Sequence, residues 1–132
     1  MVTVLLEILA VGAGGALGGI ARFWLTEFIT HYVPGHLPWG TLAVNTSGAL
    51  LLGAVAALIV APAEGTNAPL WAFLALGLLG SYTTVSSFSL QTLALLRADQ
   101  PRAALANVTA TMIGSLVLVT SGYAGATWLG GS

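Results

Sequence analysis

Four apolar runs, each near the roughly 20 residues needed to cross a bilayer, fill most of this chain and leave room only for short turns. Clusters of Pro and Gly set the cuts. The first run covers about residues 4–30 and stops before "HYVPGHLPWG", where Pro34, Gly35, Pro38 and Gly40 break a helix. The second covers about 40–61 and closes at "APAEGTNAP"; the third covers about 70–96 and closes at "RADQPR". The fourth covers about 102–128, opening after Pro101. Of 132 residues, 57% are hydrophobic and 5% charged, too little charge to coat a soluble surface. The expected class is all-α: an integral membrane bundle of four transmembrane helices, one domain over residues 1–132. No basic stretch precedes the first run and no A-x-A-like site follows it closely, so it is expected to stay as a helix.

Composition also excludes. With no Cys, the chain has neither disulfide nor thiolate chemistry. A net charge of −1 leaves no polybasic arm, so nucleic acid is not an expected partner. No Asp or Glu lies in the central part of a span, which removes proton relays and carboxylate sites for organic cations. His31 and His36 lie in the first turn without a carboxylate or thiol beside them in sequence, and no nucleophile–base pair is visible. An enzyme is not expected. Short connections make neighbouring helices antiparallel. Arg22, Arg97 and Arg102 then fall on one side, with Glu7 and Glu64 toward the other. The positive-inside rule makes the Arg side cytoplasmic and puts both termini outside.

Against that apolar background each polar residue has two readings. In "VGAGGALGGIAR" the pairs Gly14/Gly18 and Gly15/Gly19 suit close helix packing, and Arg22 is either a snorkelling anchor or a positive charge at a vestibule. Asn45, in "PWGTLAVNTSGALLLG", either makes one interhelical hydrogen bond or faces a polar conduit. Asn107, Thr111 and Ser115 follow at i, i+4 and i+8. They form a polar stripe about 12 Å long, unless their hydroxyls return to the carbonyl one turn back. In "GLLGSYTTVSSFS", Gly77 and Gly80 precede a β-branched, hydroxyl-rich run that is poor for continuous helix, so the third helix is expected to break near midplane. Freed carbonyls there suit a small monovalent cation. Val85 and Phe88 share a face beyond the break; Phe88 either packs or turns its positive ring edge to an anion. Hydroxyls, amides and ring edges without formal charge suit a small hydrated anion.

The segments "GGALGGIAR", "PWGTLAVNTSGALLLG" and "GLLGSYTTVSSFS" resemble the signature segments of the CrcB (Fluc) family of fluoride channels, in order across all four helices. The resemblance implies a dual-topology dimer of antiparallel subunits in the bacterial inner membrane, passing fluoride passively out of the cytoplasm. It implies pore-lining roles for Asn45, Phe88, Asn107, Thr111 and Ser115. It also implies a structural, non-transported Na+ held by the backbone carbonyls of Gly80 and Thr83 from both subunits. Two positions depart from the family pattern: Val85 stands where the first pore Phe is expected, and Gln91 where a Glu is usual. Val85, with the one-sided Arg placement, leaves the second subunit open: this chain itself or a paired family member. Two other functions fit four helices. A dual-topology multidrug transporter would need a carboxylate midway along the first helix, where only Glu7 near its start is found. A non-transporting membrane assembly protein would use its polar groups only to join helices.

Overall fold

The computed structural model describes residues 1–59 and 67–130. Its helices are α1 (Val2–Tyr32), α2 (Trp39–Ile59), α3 (Ala68–Trp71), α4 (Gly80–Tyr82), α5 (Val85–Arg97) and α6 (Pro101–Gly130). Between α3 and α4 the segment Ala72–Leu79 is wound as a π-helix, a widening that sequence reading did not anticipate. Together these make four spans: Val2–Tyr32, Trp39–Ile59, Ala68–Arg97 and Pro101–Gly130. The expected turn around Glu64 lies outside the described residues, as do residues 60 and 61 at the end of the second expected span.

Two helix pairs make most of the contact: α2 against α6, and α1 against the π-helical segment. Glycine permits both. A Cβ on Gly14 or Gly18 would strike the backbone at Phe73 or Leu78, and one on Gly53 or Gly122 would strike the partner backbone across the α2–α6 crossing. Such contact is how spans associate where lipid removes the usual hydrophobic drive. The second glycine pair in α1 is not used in this way: nothing lies near a Cβ on Gly15, and only the Ser81 hydroxyl, at 3.5 Å, would meet one on Gly19.

Where α2 crosses the third span, Val44, Leu79 and Tyr82 form a small buried cluster. The Tyr82 and Ser47 hydroxyls share a hydrogen bond of 2.8 Å, so the buried phenol is partnered. At the other end of α5, Asp99 takes φ 57°. Its N–H donates to the Leu96 carbonyl (3.2 Å) and that of Gln100 to the Leu95 carbonyl (2.9 Å), a Schellman close. Pro101 then starts α6, so α5 and α6 form a tight antiparallel hairpin.

A broken helix between two cavities

The third span is interrupted just above the buried cluster. Thr83 (φ −79°, ψ 159°) and Thr84 (φ −150°, ψ 122°) are extended, and α5 restarts at Val85 with Thr84 as its N-cap. Two side chains hold this geometry. Asn45 brackets Thr84: its Nδ2 donates to the Thr84 carbonyl at 2.9 Å, and its Oδ1 accepts from the Thr84 N–H at 2.7 Å. The Thr84 hydroxyl accepts from the Ser87 N–H at 3.2 Å and also lies 3.2 Å from the hydroxyls of Ser86 and Ser87. The Ser-rich run thus caps a helix start inside the span. Asn45 both forms the expected interhelical bond and lines a cavity; the second hydrogen of its amide nitrogen is left over.

The break takes the helical donors from the carbonyls of residues 80–83, Gly80 and Thr83 among them. In continuous helix the Thr84 N–H would serve Gly80 and the Ser87 N–H would serve Thr83. Here those donors go to Asn45 and to the Thr84 hydroxyl. Gly80 and Thr83 therefore present backbone oxygens of the hard type that holds a monovalent cation. Oxygen donors of this kind are what such a role requires, and sequence reading missed a positive charge beside them. Nη1 of Arg22 lies 3.4 Å from the Thr83 carbonyl, setting a guanidinium beside the donor pair. Arg22 is half-buried, well short of the end of α1, so it is not a loop charge. Among the described residues no three His, Asp or Glu gather as a metal centre.

Cavities flank the break on both sides, and Thr84 lines both. The larger, about 400 Å³, is walled by Asn45, Gly80, Thr83, Val85, Phe88, Thr111 and Ser115, which brings together most of the residues singled out from sequence. The smaller, about 230 Å³, holds Arg22, Glu27, Thr41, Ser87 and Gln91. The Gln91 side-chain oxygen is buried without a partner. Val85 is 78% exposed, at the open side of the larger cavity.

The α6 stripe separates into two kinds of residue. Thr111 is 7% exposed and its hydroxyl has no hydrogen-bond partner. Thr46, Thr83, Thr92 and Thr120 all return their hydroxyls to the carbonyl four residues back; Thr111 does not. Ser115, half-buried, lines the same cavity. Asn107 is different. It is 2% exposed, it is not part of the cavity wall, and its Nδ2 donates to the Thr92 hydroxyl at 2.9 Å. Of the cooperating residues missed in the sequence, Thr84 carried a legible signal, an N-cap hydroxyl three residues ahead of Ser87. Thr92 carried none.

Comparison with known proteins shows the family. Residues 9–123 match the family described as CrcB-like protein, Camphor Resistance (CrcB). The chain is 43% identical over 122 residues to fluoride-specific ion channel FluC 2 of Rhodopseudomonas palustris, covering 90% of this chain and 92% of that one. It is 41% identical over 129 residues to fluoride-specific ion channel FluC 2 of Bradyrhizobium diazoefficiens (97% and 94% covered). It is 42% identical over 124 residues to fluoride-specific ion channel FluC of Rhodospirillum rubrum (89% and 92% covered). With four membrane-length apolar helices and matches of this extent to bacterial ion channels, the chain is a multi-pass membrane protein and belongs to the CrcB family.

Proposed function

We propose that this chain is a subunit of a fluoride-selective channel that lets the anion leave the cytoplasm down its gradient. The observation that carries this reading is the Thr111 hydroxyl: a buried donor without a partner on the wall of a cavity that also holds Phe88 and Ser115. A buried hydroxyl left unpaired costs about 1–3 kcal/mol, and a passing anion supplies the missing acceptor. The hydroxyl proton rotates about the Cβ–Oγ1 bond, so the donor can turn toward the ion and away again. Phe88 offers a ring edge, whose partial positive charge attracts an anion without binding it tightly. Neutral donors suit conduction, since the ion must shed water to enter and still be able to leave. Arg22, in the adjoining cavity, adds a positive potential that raises the local anion concentration.

The same reading calls for a second subunit. Irregular backbone is tolerated at membrane depth only where protein or water covers it, yet Gly80 and Val85, on either side of the break, are exposed. An antiparallel second subunit covers the break and brings a second set of Gly80 and Thr83 carbonyls to the first. Four such oxygens would hold a structural Na+, which supplies fixed positive charge between the subunits. With Arg22 inside the bundle, Arg97 and Arg102 alone bias insertion, and both sit on one side, which favours a paired family member of opposite bias as the second subunit. The chain has no Cys, so Gly80→Cys places a single thiol at the break, to be paired with a cysteine at the matching glycine of the second subunit. Oxidation of the co-expressed pair is expected to yield a dimer band, and monomer alone from both this pair and Gly80→Cys expressed by itself would remove the covering subunit.

The functional test is fluoride efflux from loaded liposomes, followed with a fluoride electrode. Efflux is expected with this protein co-purified with its partner and absent from protein-free liposomes. Chloride should not follow. Equal release of both anions would overturn the selectivity, and no release of either would overturn the channel.

A further inference from the structure

The hydrogen bond between Asn107 and Thr92 has a place in the α5–α6 hairpin that the cavity wall alone does not explain. Counting outward from the turn at Ala98–Gln100, Thr92 faces Asn107, and one helical turn further the same register pairs Phe88 with Thr111. A turn beyond that it pairs Thr84 with Ser115. The last two pairs line the cavity of about 400 Å³; the first does not. The bonds at the first pair form a relay. Asn107 Nδ2 donates to Thr92 Oγ1 at 2.9 Å, and Thr92 Oγ1 donates to the Phe88 carbonyl at 2.8 Å. Because the Thr92 oxygen accepts from Asn107, its single proton is left to point at Phe88, and each bond polarises the other. Asn107 is 2% exposed, so no ion reaches its amide without dismantling the hairpin.

We infer that Asn107 and Thr92 are positioning residues for permeation: their bond pins the hairpin register that sets the Phe88 ring against the Thr111 hydroxyl, and Asn107 does not itself touch the ion. This rests on reading the cavity as the fluoride path and deepens it. The expected consequence is a functional unit of two residues that fails when either is removed and survives when the hydroxyl alone is kept.

The test uses the full-length protein in liposomes with four variants: Thr92→Ser, Thr92→Val, Asn107→Leu and the double Thr92→Val/Asn107→Leu. Thr92→Val strands the buried Asn107 amide and can harm folding, whereas in Asn107→Leu the Thr92 hydroxyl keeps its bond to the Phe88 carbonyl. The double variant replaces both partners by apolar groups and is expected to fold. Fluoride efflux should be retained in Thr92→Ser. It should fall by about ten-fold or more in the other three, as a small misplacement of reacting groups typically produces. The double variant should be no worse than the worse single variant. The second readout does not depend on transport: fluorine NMR of 4-fluorophenylalanine placed at position 88. One resonance is expected in the unaltered protein and in Thr92→Ser, and several or broadened resonances in the double variant. Loss of efflux in Asn107→Leu with normal efflux in Thr92→Val would make Asn107 a direct ion contact and overturn the inference. So would a double variant with one sharp resonance and full efflux. If the unaltered protein passes no fluoride, the channel reading fails by itself, while the resonances still decide the positioning role.

Discussion

Thr111→Val should move stability and flux in opposite directions. The side chain is 7% exposed, its hydroxyl is covered and unpartnered, and valine has nearly its shape. A buried hydroxyl without a partner costs about 1–3 kcal/mol, so replacing it by a methyl should stabilise the resting protein by an amount of that order. The same hydroxyl is the donor a passing anion would use. Its loss should raise the barrier by about 1–3 kcal/mol, or roughly ten-fold slower flux per 1.4 kcal/mol. Thr111→Ser keeps the donor and should stay near the unaltered rate. The assays are thermal unfolding in detergent and fluoride release from liposomes, run on the same preparations. A more stable variant with unchanged flux would show that the hydroxyl does not meet the ion. A less stable one would show that it has a partner in the folded protein.

Other expectations follow from the break and the packing. Asn45→Leu leaves the Thr84 N–H and carbonyl unpaired at once and should destabilise the protein by about 2–4 kcal/mol, read as a lower unfolding midpoint; a midpoint like that of the unaltered protein would mean the bracket is dispensable. Gly18→Ala drives a methyl into the Leu78 backbone and should cost about 1–3 kcal/mol, while Gly15→Ala, with open space around it, should be nearly neutral. Equal effects of the two in thermal unfolding would contradict the assigned packing face. Exchange of Na+ for a large organic cation should lower the unfolding temperature of the assembled channel, and an unchanged temperature would remove the cation from between the Gly80 and Thr83 carbonyls.

The spans were legible because nothing but their apolar length competes for the reading, and where both are described the observed ends lie within a few residues of the expected ones. The break was legible as a weakness around Gly80–Ser89 but not as a position, because its location is fixed by Asn45, which lies far away in sequence. Spacing marked Asn107, Thr111 and Ser115 as one stripe. It did not say that the first would be consumed by Thr92 on another helix while the second would be left unpaired. The two glycine pairs of α1 were equivalent in sequence, and the rotation of α1 against the π-helical segment chose between them. Chain order put Arg22 on the same side as Arg97 and Arg102, but it did not show that its guanidinium lies within the bundle, 3.4 Å from the Thr83 carbonyl. In each case the missing information is a long-range partner, which one strand of sequence does not carry.

The most direct measurement is the reversal potential of the assembled channel in a planar bilayer, with a fluoride gradient across the membrane and an opposing chloride gradient. The expected potential is that of fluoride alone, unaffected by the chloride gradient or by exchanging the cation in solution. A reversal potential that tracks chloride or the cation, or a membrane that stays silent, would contradict a fluoride-selective path through this protein.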